Sequence, residues 1–214
     1  VSQNAGSVSL GNLGRIAATR KTGAELFRMG DRDLGFDLLG FWQWSASDIV
    51  SNATRGRLAE YIIANAIGAA TGVRDEWAAF DLEHPDGISI EVKSSAYIQS
   101  WNQRELSKIA FNCPKTLAWD PETNKQSDTK RRQAEVYIFA LQFHEDQATL
   151  DPFDIEQWRF YVVPTVVLDR RERSQHSITL KSLEELPCAA VSYDGLNTAV
   201  VEAAEVHRAV AASG

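Results

Sequence analysis

The sequence predicts an α/β fold, because helical and strand periodicities alternate along one continuous chain. Three observations carry that expectation. At 55–69 an amphipathic pattern places Leu58, Tyr61, Ile62, Asn65 and Ala66 at i, i+3, i+4, i+7 and i+8. Two alternating segments, 77–84 and 88–94, flank Pro85-Asp86-Gly87, where Pro presets the first turn residue and Gly accepts positive φ at the last. A nearly continuous apolar run at 135–143 suits a strand covered on both faces, and 158–163 reads as another strand.

The first forty residues are Gly- and Ser-rich and then only weakly periodic, which predicts a loose arm or short helices at 1–40 ahead of a single domain at 41–214. Segment 36–49 holds Phe36, Leu38, Leu39, Phe41, Trp42, Trp44 and Ile49, too apolar to be left in water, and is expected to pack on the core, the Trp42/Trp44 pair included. Thr54 caps the 55–69 helix, which Gly68 or Gly72 ends. After Pro164 the pattern predicts a short helix, a strand at 177–180, a helix at 182–186 and an amphipathic tail helix at 196–210 as a C-terminal extension. The polar stretch 118–134 is the expected mobile loop.

Composition narrows the function. With 214 residues, 44% hydrophobic and 24% charged, the chain is that of a globular protein with a real core, not a disordered one. No apolar run approaches a membrane span, and no signal peptide is visible, so a cytoplasmic protein without a membrane partner is expected. Cys113 and Cys188 stand apart and the four histidines lack ligand spacing, which argues against zinc and for two buried thiols. A net charge of −7 argues against coating nucleic acid by bulk charge. The charge is segregated, however. Residues 103–132 carry +3, which leaves −10 for the rest, and 184–205 holds five acids with no Lys or Arg.

The hairpin carries the chemistry. A three-residue turn sets residue 84 opposite 88, 82 opposite 90 and 81 opposite 91, placing Phe80, Leu82, Ile88, Ile90 and Val92 on one buried face. Asp81, Glu91 and Lys93 then share the other. Two adjacent carboxylates repel unless a proton or a cation separates them, and hard oxygen donors suit Mg²⁺ or Mn²⁺. Such a cation with a neighbouring ammonium is the equipment of phosphodiester hydrolysis by a metal-activated water. The same residue types also fit a solvated strand face with a cross-strand ion pair.

An acid followed after nine residues by Glu91-Val92-Lys93 on the second arm of a hairpin, behind a helix bearing Glu60, resembles the PD-(D/E)XK nuclease superfamily, the restriction-endonuclease-like fold. The stretches Asn52 to Tyr61, Phe80-Asp81-Leu82 and Asp86 to Trp101 look like an uncharacterised bacterial branch of it, over 41–165. The resemblance implies a small mixed β-sheet flanked by helices, Asp81 and Glu91 as metal ligands with the Val92 carbonyl, Lys93 as catalytic lysine, and Glu60 as an outer ligand or water orienter. It also implies 5′-phosphate ends, and a Gln on a following helix near the metal or DNA, for which Gln99 is the candidate. Two departures stand out: Phe80 occupies the Pro position of the superfamily's name, and only 71–76 could supply the strand that usually precedes the Asp-bearing one.

Further candidates surround this core. Arg55 could grip phosphate, and Arg57 has Glu60 one helical turn away. Lys108, Lys115, Lys130, Arg131 and Arg132 form the basic concentration a nuclease needs to hold DNA. Trp101 and Trp119 are read mainly as packing residues, His84 as buried, and Asp86 as the rival to Asp81 for the metal. The expected function is a metal-dependent deoxyribonuclease that cleaves DNA phosphodiester bonds, with a homodimer possible through 36–49 or the tail helix. The alternative is a catalytically inactive nuclease-fold DNA-binding or scaffold protein; a hydrolase of small phosphorylated molecules is a third reading.

Overall fold

The computed structural model describes residues 13–213, so the first twelve residues of the expected arm lie outside the described residues. Chain order opens with strands β1 (Leu26–Met29) and β2 (Arg32–Asp37), then helices α1 (Leu38–Ala46) and α2 (Asn52–Ala66). Strands β3 (Leu82–Glu83), β4 (Ser89–Ala96), β5 (Ala110–Asn112), β6 (Trp119–Asp120), β7 (Lys125–Gln126), β8 (Val136–Gln142) and β9 (Trp158–Pro164) follow. The chain closes with α3 (Thr165–Asp169), β10 (Ser177–Thr179), α4 (Leu180–Glu184), β11 (Ala190–Val191) and α5 (Leu196–Ala211).

The centre is a five-stranded sheet in the order β11-β9-β8-β4-β3. It is mixed, since β4 and β8 run parallel while the other pairs are antiparallel. The expected α/β class with a small mixed sheet and flanking helices is therefore the one observed. Every residue of β8 is buried, as its continuous apolar run requires. Val136, Ile138 and Ala140 face a layer built from α2 and α5, while Tyr137, Phe139 and Leu141 face Phe111, Ile178, Leu168 and Leu183. Leu196 and Val200 of α5 are fully buried, so the tail helix is part of the core and not an extension of it.

Several elements differ from expectation for visible reasons. Helix α2 starts at Asn52 with Ser51 as its cap position, three residues before the expected start, and ends before Gly68 at φ +71°. Residues 26–37 form an antiparallel hairpin where an arm or short helices were expected, because Gly30 at φ +63° turns β1 into β2. Helix α1 does not pack on the core: none of its residues is buried and Trp44 is 84% exposed. Segment 71–76 forms no strand. Within 118–134, β6 and β7 pair as a small hairpin, with Asn124 at φ 56° in its turn. Trp101 and Trp119 are exposed, not packed. Cys113 is buried as expected, whereas Cys188 is only half-buried.

Candidate functional site

The turn predicted at Pro85-Asp86-Gly87 forms: Gly87 takes φ +73°, its N–H donates to the His84 carbonyl at 2.8 Å, and Leu82 pairs with Ile90. The ladder then stops early. Strand β3 begins only at Leu82, so among the described residues no strand pairs with this edge of β4 from Val92 onward. Asp81 closes part of that edge with its side chain, Oδ2 accepting the Val92 N–H at 2.8 Å where a strand carbonyl would otherwise stand. The backbone turns as it leaves the ladder. Phe80 consequently packs against the Phe111–Phe139 layer, while Leu82 packs against the α2 layer. The expectation that Phe80 and Leu82 share a face is corrected by this change of side.

Glu91 and Lys93 project from β4 on the face away from Ile90 and Val92, and the Lys93 Nζ donates to Glu91 Oε1 at 2.5 Å. Strand geometry aims the N–H and C=O of one residue to the same side, so the Val92 carbonyl opens on the edge where Asp81 sits. Glu60 reaches the cluster from α2. Its partner is not Arg57, which lies 3.9 Å from Glu76, but Arg74, whose Nη2 donates to Glu60 Oε1 at 3.2 Å and whose Nε pairs with Oε2. Arg74 also stands 3.5 Å from Asp81 and 2.7 Å from Glu76. Sequence reasoning missed Arg74, because it lies in irregular chain where no periodicity assigns a direction to a side chain.

The electrostatics are those of crowded, desolvated acids. Burial pushes the Glu91 carboxyl above its ordinary range and the Asp81 charge adds to the shift, with Lys93 acting against it. Burial likewise raises Glu60, opposed by the Arg74 hydrogen bond and reinforced by Asp81. Negative charge is thus only partly compensated by Arg74 and Lys93. Hard oxygen donors in a partly buried, charge-deficient site fit a divalent cation. The candidate donors are Asp81, whose Oδ1 also lies 3.5 Å from Arg74, Glu91, and the Val92 carbonyl; both oxygens of Glu60 are held by Arg74. Among the described residues no group of three or more His, Cys, Asp or Glu side chains is placed to hold a metal by itself.

Other predicted residues are placed elsewhere. Arg55 is 3% exposed, its guanidinium donating to the Val50 carbonyl at 2.9 Å, to Gln99 Oε1 at 3.2 Å and to Asn52 Oδ1 at 2.5 Å, so it is not a surface phosphate grip. Gln99 lies in a loop after β4, not on a helix, and its Nε2 donates to the Ala96 carbonyl at 2.8 Å; it ties the end of β4 to the start of α2. Arg132 is buried, its guanidinium held by the Cys113 carbonyl, Asp169 and Gln175, which removes it from any DNA surface. Lys108, Lys115, Lys130 and Arg131 are exposed, with Lys115 3.4 Å from Asp169. His84 is buried and bonded to Asn197 at 2.9 Å, and Asp86 sits at the exposed hairpin tip.

The sequence family described as Bacteriophage T4 endonuclease IV matches residues 42–182. The chain belongs to that family. The match to the endonuclease IV family spans about two thirds of the chain and includes α2, the β3–β4 hairpin, β8 and β9. Asp81, Glu91, Lys93, Glu60 and Arg74 all lie within it. No match was found among curated proteins. Endonuclease IV membership makes this a nuclease family member, and no helix among the described residues is long and apolar enough to cross a membrane.

Proposed function

We propose that the chain is a divalent-metal-dependent deoxyribonuclease of the PD-(D/E)XK type, hydrolysing DNA phosphodiester bonds at the cluster of Asp81, Glu91 and Lys93. The supporting observation is the edge of β4, where the Asp81 carboxylate takes a ladder position within electrostatic reach of a second, desolvated carboxylate, Glu91, already joined to an ammonium. Asp81, Glu91 and the Val92 carbonyl would hold Mg²⁺ or Mn²⁺, which supplies charge neutralisation at phosphorus and acidifies water.

The chain's own residues do the remainder. Asp81 is fixed by the Val92 N–H, so its second oxygen keeps one direction without side-chain reorganisation. Lys93, half-exposed beside Glu91, presents its ammonium to the charge that builds on a non-bridging phosphoryl oxygen. Glu60, positioned by Arg74, adds negative charge behind Asp81 and raises the site's demand for a cation. Departure of the 3′ oxygen leaves 5′-phosphate ends.

The test is Mn²⁺ or Mg²⁺ titration of wild type against Glu91→Ala, with plasmid cleavage and calorimetry as readouts. Cation-dependent cutting by wild type, absent in the variant, is the expected result. The capture of Glu60 by Arg74 favours one other reading, a nuclease-fold DNA-binding or scaffold protein without turnover. DNA retention with neither cutting nor a cation-dependent rise in melting temperature would select it.

A further inference from the structure

Residues 24–46 are carefully built and yet uncovered. Asp37 caps α1 by accepting the Gly40 N–H at 2.8 Å, and Leu38 donates back to the Glu25 carbonyl at 3.0 Å. Gly23, at φ +95°, brings the chain so near α1 that a Cβ there would stand 3.2 Å from the Trp42 ring. Phe27 and Phe36 stack at 4.7 Å across the hairpin. Local chemistry therefore specifies one shape for β1, β2 and α1. Nothing among the described residues supplies a core for it, because Gly23 is the only buried residue between 13 and 48. A two-stranded hairpin and a nine-residue helix do not hold their structure alone in water.

What covers this unit must match its chemistry. Phe27, Met29, Phe36, Phe41, Trp42 and Trp44 are all exposed, and large apolar side chains clustered on one short segment are the composition of an interaction surface. Residues 24–46 carry a net charge of −2, which repels nucleic acid and anionic lipid alike. Helix α1, Leu38 to Ala46, contains no charged residue, so it can meet its own image across a twofold axis without like-charge repulsion. The area agrees. The chain exposes 14266 Å², whereas a compact monomer of 23.7 kDa exposes about 9,800 Å². Extended residues 13–22 account for part of that excess. Residues 24–46, exposed except for the half-buried Asp37 and Leu38, contribute to it as well, and an obligate dimer buries roughly 1,000–2,500 Å² per chain.

We propose that residues 24–46 are a homodimerisation unit, in which α1 and the apolar side chains of the β1–β2 hairpin pack against the same elements of a second copy. The test is sedimentation velocity with light scattering on the full chain, over a wide concentration range, comparing wild type with a Phe41→Glu/Trp44→Glu double variant. Wild type is expected to have twice the chain mass and the variant the single-chain mass, with an unchanged far-UV spectrum for the body. Met29→Glu, on the hairpin, provides a second disruption should the helix variant misfold. A monomeric wild type at every concentration overturns the proposal, including one that binds neutral lipid vesicles instead. So does a dimer that survives both variants, since its interface would lie elsewhere. Mass is read independently of cleavage, so the result stands apart from the nuclease reading.

Discussion

Asp81 has two oxygens with different duties. Oδ2 completes the ladder by accepting the Val92 N–H, and Oδ1 faces Arg74. Removing the side chain leaves a half-buried donor without an acceptor, at a cost of about 1–2 kcal/mol, while an amide oxygen keeps the bond. Asp81→Ala is therefore expected to lower the urea midpoint, Asp81→Asn to hold it near wild type, and both to lose cleavage; equal midpoints for the two variants would show that the bond does not matter. Glu91 behaves differently because its charge is costly without a cation. With chelator present at neutral pH, Glu91→Gln is expected to melt above wild type, and added Mn²⁺ to narrow or reverse the gap by stabilising wild type alone. The acids and the lysine were legible because a tight turn fixes which residues oppose one another. Arg74, in irregular chain, was not, and the Arg132 side chain looked like a surface cation because a run of basic residues does not reveal which one turns inward.

At the scale of elements, alternation and turn chemistry made the hairpin, β8, β9 and α5 readable, since each carries its burial pattern in its own residues. The pattern failed where a side chain competed with the backbone. Asp81 took a ladder position, β3 shortened to two residues, and Phe80 changed sides. It failed again in 26–46, where local turns and caps shape an apolar segment that the other described residues do not cover. Helix α5 shows how one ion pair fastens an element: Arg208 Nε donates to Glu135 Oε1 at 2.6 Å, just before β8, and Ser89 N–H donates to Oε2 at 3.2 Å. The Arg208 hydrogen bond, foremost, holds the Glu135 carboxyl below its ordinary range. Because the folded state binds that proton less readily, the contribution is full above the unfolded carboxylate range and fades as pH falls through the lower folded value. Arg208→Gln is thus expected to melt slightly below wild type at neutral pH, and the difference to vanish in acid below the ordinary carboxylate range. A gap that persists unchanged there would point to packing by the Arg208 stem.

For the whole molecule, the difficulty is that an acidic protein has to hold a polyanion. The net charge is −7, and α5 with its approach segment contributes five acids between 184 and 205, so attraction must come from a small local surface. Within 103–132 the buried Arg132 cannot contribute and Lys115 is shared with Asp169, which leaves Arg104, Lys108, Lys125, Lys130 and Arg131 exposed for phosphate. Each phosphate neutralised by a cation on duplex DNA steepens the fall of log affinity with log salt by about 0.9. If four or five of these side chains engage at once, the slope should be roughly −4, far shallower than for a strongly basic binder. Replacing Lys108, Lys130 or Arg131 singly with Ala is expected to flatten the slope by about one without moving the melting temperature. Arg132→Ala should do the reverse, leaving the salt slope alone while destabilising the fold, because its guanidinium satisfies the Cys113 carbonyl and Asp169 inside the protein. Fluorescence anisotropy on a short duplex, with a chelator to prevent cutting, separates the two behaviours; a slope unmoved by the three surface variants would place the DNA on a different face of the molecule.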